Sequence, residues 1–299
     1  PKDACIFLSD YAAWLLGCGA TCIRIEKNVK RMADRWNMTS EMTILPSHIH
    51  MTVWNDDRSH SYSNIVRLHH TGISFDINTQ LSKLSWAIAD RKIGFTEALR
   101  NFEAIVQTRP ANPWMVWILA SLANMAFCRL FGGDFIAMAI VLIGTLAGYK
   151  LKQVMLEDGQ DVRFVFFCCA FFSSVIGAAG YVFDLSDTPE IALGTSVLYL
   201  IPGIPYINSV SDLLDGHYIS SFSRFMNAMV LTACLSAGLS LTAASEVGKF
   251  TGISLLFTFV MVETKKKISN KNTQSINGDM ETSGSSSLFP KGSFIRLSS

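Results

Sequence analysis

Residues Pro202 to His217 read PGIPYINSVSDLLDGH and follow an apolar run, IALGTSVLYLI. Proline removes a backbone donor and clashes with the preceding turn, so two prolines around Gly203 are expected to break the helix. The run from Pro189 to Ile201 is shorter than the ~20 residues of a full membrane span, which favours a span that continues past the break. Broken backbone survives in a membrane only where protein or water satisfies it. If helix resumes at Ile204, Asn208, Asp212 and Asp215 share one face at i, i+4 and i+7 spacing, with Ser211 at its edge. Polar groups beside a broken helix can hold a charged or zwitterionic solute. Asp212 is the best protonatable coupling group, because an intramembrane carboxylate is costly unless paired, hydrated or functional. The competing reading ends the span at Pro202 and leaves 208–217 as a solvated loop.

Weaker candidates surround this stretch. Thr195 and Ser196 offer hydroxyls before the break, or simply allow close helix packing. Asp215, His217 and Arg224 sit where an aqueous interface is expected. Asp184, Thr188 and Glu190 would line the outer mouth, in a segment that also reads as a plain acidic loop.

The elements that must position these residues follow from composition. The chain has 299 residues, 49% hydrophobic and 16% charged, with a mean hydropathy of +0.30. A membrane protein is the natural class. Net charge is +1, and no basic stripe points to nucleic acid. No signal peptide is read at Pro1.

Residues 1–108 are amphipathic. Helices are expected before GCGA and over Thr21 to Trp36, then strands in EMTILP, HIHMTVW and SYSNIVRL with a turn at NDDRSHS, then helices over Asn78–Asp90 and Thr96–Gln107. That order predicts a small cytoplasmic α+β domain. Residues 109–262 form a helical membrane domain. Its candidate spans are ANPWMVWILASLANMAFCRLF, DFIAMAIVLIGTLAGYK, RFVFFCCAFFSSVIGAAGYVF, the broken fourth and Phe225–Ala243, with 251–262 as an ambiguous sixth. Lys and Arg concentrate on one side, which places the N-terminus in the cytoplasm. Gly144 and Gly148 have the spacing of a close helix contact. Residues 263–299 read as a disordered tail or an expression remnant.

The seven cysteines include no CxxC pair, and reduced structural thiols are the better reading. His48, His50, His60, His69 and His70 raise a metal or hydrolytic centre, but their spacing matches no metal motif. No enzyme fingerprint is present. No cofactor and no metal are expected.

The stretch SVLYLIPGIPYINSVSDLLDGHYISSFSRF closely resembles the signature of the threonine/serine exporter (ThrE) family, in the split form whose larger subunit is paired with a small YjjB-like membrane subunit. GCGATCIRIEKNVKRMADRWN resembles that family's early pattern. The resemblance covers about residues 5–250 and maps Pro202, Gly203, Pro205, Asn208 and Asp212 onto the family motif. It implies a secondary transporter subunit in the inner membrane that exports threonine and serine or a dicarboxylate such as succinate. Fused members carry a second membrane unit with its own Pro-Gly element, which is not found here, so a separate partner and an oligomeric assembly are expected. The alternative is a ligand-sensing regulatory membrane protein whose N-terminal domain binds a small molecule.

Overall fold

The computed structural model describes residues 1–68, 72–108 and 112–247. Pro1–Ser240 pack as one compact unit. The expected sixth span at 251–262 and the tail at 263–299 lie outside the described residues.

Two long helices open the chain, α1 (Lys2–Gly17) and α2 (Cys22–Arg35). Along α2, Cys22, Ile25, Val29 and Met32 are buried at helical spacing. An antiparallel sheet follows in the order β1 (Met38–Ile44), β2 (His48–Asn55), β3 (Ser61–Arg67). The first strand starts earlier than EMTILP suggests. Asn37 takes a left-handed φ of 51° immediately after α2, a conformation asparagine tolerates, and turns the chain directly into the strand.

Ile49, Met51 and Val53 alternate into the core from β2, where they join Phe7, Leu8, Tyr11 and Leu15 of α1. Each such side chain contributes roughly 1.5–3 kcal/mol on burial. Helices α3 (Phe75–Ala89) and α4 (Phe95–Val106) complete this core through Leu81, Ile88 and Phe102. The sequence places α3 at Asn78. It starts earlier because the Ser74 hydroxyl accepts the Ile77 N–H at 3.4 Å and caps it.

The apolar part comprises α5 (Pro113–Leu130), α6 (Phe135–Glu157), α7 (Val162–Gly177), the short α8 (Ala179–Val182), α9 (Pro189–Ser196), a 3-10 turn at Leu198–Leu200, α10 (Gly203–Leu214) and α11 (Tyr218–Val247). Among the described residues four stretches are long and apolar enough to cross a membrane: Pro113–Leu130, Phe135–Glu157, Val162–Val182 and Tyr218–Ala243. The pair Pro189–Leu200 and Gly203–Leu214, bent by 64°, makes a fifth if taken as one broken span. Helix α11 begins well before Phe225, where the sequence reading started it. Its Ser220 hydroxyl donates to the Ile44 carbonyl at 3.2 Å and Ser221 to the Ser209 carbonyl at 2.7 Å, so the polar residues of YISSFSR are paired rather than helix-ending.

Helices α6 and α7 meet across Gly144 and Gly148. A Cβ on Gly148 would land on the Ser173 Oγ and the Tyr199 hydroxyl, which are hydrogen-bonded to each other at 2.9 Å. Alanine would gain about 1 kcal/mol in helix propensity, but overpacking costs about 1–3 kcal/mol, so the clash should win. Gly148→Ala is expected to lower the thermal midpoint, and Tyr199→Phe in that background to recover part of it. A wild-type midpoint for Gly148→Ala would refute the close contact.

Candidate functional site

The site begins where α1 ends. Gly19 adopts a left-handed φ of +88°; its N–H bonds the Leu16 carbonyl at 3.1 Å and the Ala20 N–H the Leu15 carbonyl at 3.1 Å. This is a Schellman ending, and it turns the carbonyls of Gly19 and Ala20 outward. Helix α2 then starts at Cys22 with an uncapped N-terminus: Thr21 makes no side-chain cap and the first turn holds no acid. The GCGAT loop therefore presents two acceptors and one donor that the N-terminal elements leave unmatched.

Helix α10 and its return into α11 supply all three partners. Asn208 Nδ2 donates to the Gly19 carbonyl at 2.8 Å. Asp212 Oδ1 accepts the Cys22 N–H at 2.8 Å. Arg224 Nη2 donates to the Ala20 carbonyl at 2.7 Å. A second Schellman turn aims the arginine: Gly216 has φ +86°, its N–H reaches the Leu213 carbonyl and the His217 N–H the Asp212 carbonyl at 2.8 Å.

Asp212 is fully buried, and its Oδ2 lies 3.1 Å from Arg224 Nη1. Those two atoms are not aligned for a hydrogen bond, so charge rather than a directed contact joins them. The carboxylate also faces the positive end of α2, where an anion is favoured. Burial, with the nearby Asp212 carboxylate adding to it, pushes the Cys22 thiol up to about 12. At the edge of the cluster, His217 Nε2 lies 3.5 Å from Glu26 Oε1.

The sequence reading placed Asn208, Asp212 and Asp215 together on a face toward a cavity. In the structure Asn208 and Asp212 dock against the GCGAT loop, while Asp215 caps the end of α10 and is exposed. Helix α10 begins at Gly203, so Pro205 falls in its first turn, where its missing N–H costs little, and Pro202 alone makes the break. Ile201 is extended there, with ψ 124°, as a residue before proline prefers.

Thr195 and Ser196 bond back to the Ile191 and Leu193 carbonyls at 2.6 and 2.7 Å. Thr188 reaches Asp134 at 3.2 Å, and Asp134 also accepts the Ser186 hydroxyl and the Asp187 N–H. Asp184, at φ 50°, is exposed on that same loop, and Glu190 is exposed in the first turn of α9. His69 and His70 lie outside the described residues. Among the described residues no group of three or more His, Cys, Asp or Glu could hold a metal ion.

The sequence reading missed a buried polar layer behind the break. Asn124 of α5 donates to Thr145 Oγ1 at 2.6 Å and to the Thr195 carbonyl at 3.0 Å. That carbonyl belongs to the last turn of α9 and also accepts a backbone N–H at the helix's C-cap. An asparagine inside an apolar span was the available signal.

Removing one partner of a buried ion pair costs about 3–5 kcal/mol, and Asp212→Asn should fall near the lower end because Arg224 keeps the Ala20 carbonyl. With its ionisation near pH 12, Cys22 is protonated at pH 8 and thiolate grows only as pH rises toward that value. Opening the loop returns the thiol toward its ordinary ~8.5. N-ethylmaleimide should therefore label Cys22 at least about tenfold faster in Asp212→Asn than in wild type, read by mass spectrometry. Equal rates in the two folded proteins would show that Asp212 does not hold the loop.

Comparison with known proteins matches residues 7–245 to the family described as "Putative threonine/serine exporter" (ThrE). The "Probable succinate transporter subunit YjjP" of Escherichia coli (strain K12) is 25% identical over 235 residues, 77% of this chain and 90% of that protein. The protein of the same name from Klebsiella aerogenes is 24% identical over 237 residues, again 77% and 90%. A "Probable threonine/serine exporter" of Mycobacterium tuberculosis is 19% identical over 172 residues, 56% of this chain and 32% of that protein. No solved structure matches. The matched names are those of transporters rather than enzymes, and the matched stretch contains both the GCGAT loop and its partners on α10 and α11: the chain belongs to the threonine/serine exporter (ThrE) family of membrane proteins.

Proposed function

We propose that this chain is the larger subunit of a secondary transporter that exports small organic solutes, a dicarboxylate such as succinate or threonine and serine, together with a small YjjB-like membrane subunit. The observation that carries this reading is the broken span at Pro202–Gly203 whose second half is tied by Asn208, Asp212 and Arg224 to the GCGAT loop. Residues 1–108 act as the cytoplasmic α+β domain and 109–262 as the membrane domain, with the N-terminus inside, a placement supported by the distribution of Lys and Arg. Succinate is the solute named for the relatives covered over 90% of their length, and their designation as subunits supports a partner protein.

In this mechanism the three polar contacts form a latch between the N-terminal domain and the half-helix α10. With the latch closed, α10 is held against α2. Protonation of Asp212, or withdrawal of Arg224 from it, removes the charge that holds the loop and frees α10 to move about the break. Binding that favours the freed state shifts the population toward it. Asp212 is then the coupling residue, and Pro202, with Gly203 starting the helix after it, defines the pivot.

Labelled succinate, threonine and serine would be followed in proteoliposomes holding this chain alone or with the partner. Flux is expected only with the partner, and Asp212→Asn should reduce it at least about tenfold while the thermal transition remains cooperative. Undiminished flux in that variant would remove Asp212 from the mechanism. Absence of flux for every solute would favour the sensor alternative.

A further inference from the structure

An open cavity of about 470 Å³ lies beside the latch, between the N-terminal elements and helices α7 and α11. Its walls are Leu16, Leu45, Pro46 and Leu68 on one side and Met226 and Val230 on the other. The remaining lining is polar: Ser220, Ser223, Asn227, Arg163 and Arg224. Two arginines and no acid line it; the buried Asp212 offsets Arg224, so the uncompensated positive charge of the cavity is that of Arg163. Another cleft, about 720 Å³ between α2 and the sheet, opposes Lys27 and Lys30 with Glu26 and Glu41, and its charges offset one another.

The two arginines are differently engaged. The Arg163 guanidinium forms no ion pair among the described residues; only its backbone N–H is bound, by Asp161 Oδ1 at 2.8 Å. Arg224 is tied to the latch: its Nη1 is buried and lies 3.1 Å from Asp212 without an aligned hydrogen bond, so a ligand reaches it only by drawing the guanidinium away from Asp212. Guanidinium groups bind carboxylates bidentately, with geometry an ammonium cannot supply. The volume is within the range of small-molecule sites.

We infer that this cavity is a binding site for a small dicarboxylate, with Arg163 and Arg224 on its carboxylates and Ser223 and Asn227 as polar neighbours. The inference rests on the transport reading for its consequence: a carboxylate that takes Arg224 competes with Asp212, so occupancy opens the latch. Arg163 is the specificity residue and Arg224 the one shared between ligand and latch.

The test uses purified full-length protein in nanodiscs, with calorimetric titration of sodium succinate and, as a neutral analogue, succinamide. Saturable succinate binding with none for succinamide is expected. Arg163→Gln should weaken it at least about tenfold, and so should the near-isosteric Asn227→Asp, each with an unchanged thermal midpoint. Succinate should also speed N-ethylmaleimide labelling of Cys22 in wild type but not in Arg163→Gln.

No saturable binding by folded wild-type protein, or equal affinity in all three proteins, overturns the site. So does binding that disappears when phosphatidylglycerol joins phosphatidylcholine in the nanodisc, since the cavity would then be a lipid-headgroup site. Flux separates the two claims. Wild-type flux with a KM that Arg163→Gln leaves unchanged overturns the cavity and keeps the transporter. Arg163-dependent binding without flux for any solute upholds the cavity and overturns the transporter.

Discussion

A single buried carboxylate organises this chain. Asp212 is held from one side by a guanidinium and from the other by the buried first-turn N–H at the start of α2. Neither positive group would compensate it alone at this depth, because desolvating a carboxylate costs several kcal/mol. The two together do so only if α1 ends where it does, α10 starts where it does and α11 returns at the right turn. The glycines at 19 and 216, in different parts of the sequence, are both left-handed for this reason: each closes a helix so that the next residues can face the same carboxylate.

The same logic explains the break. A helix interrupted at Pro202 has its last carbonyls bound by cap and side-chain donors, and at Thr195 the buried amide of Asn124 joins the C-cap N–H. Ser173 and Tyr199 hold the 3-10 turn that follows, packed over Gly148. The break is therefore held by hydrogen bonds within the bundle on its α9 side and by a polar latch on its α10 side. The two halves of the broken span have unlike surroundings. One is fixed within the helix bundle, and the other is fixed to the GCGAT loop of the N-terminal elements.

Much of this was legible in the sequence, and the residues show where legibility stopped. Helix and strand positions followed from periodicity, and the break followed from Pro202. Asn208 and Asp212 were recognisable as a pair because i, i+4 spacing needs no tertiary information. Their partner was not. Nothing in GCGAT announces that it will offer two carbonyls and an N–H, since that offer depends on the φ of Gly19 and on Thr21 leaving its helix uncapped. Arg224 read as interfacial for the same reason: its role is set by the Gly216 turn. Asn124 was hidden by the apolar residues around it, whose sum sets hydropathy while the single amide sets the bonding.

A latch made of polar contacts suits a moving part better than a hydrophobic seam would. Turning a two-state equilibrium from 1:99 to 99:1 takes about 5.5 kcal/mol of differential binding. Neutral hydrogen bonds contribute about 0.5–1.5 kcal/mol each, and those to charged groups about 1.5–3. The contacts of Asn208, Asp212 and Arg224 thus sum to the scale that one ligand or one proton can offset. An apolar seam of several large side chains, at roughly 1.5–3 kcal/mol each, would exceed it and offer no charge for a solute or proton to act on. In the proposed mechanism the wide apolar core under α1 serves the opposite purpose: it holds the N-terminal elements together, so that release at Asp212 would move α10 rather than dissolve the loop that holds it.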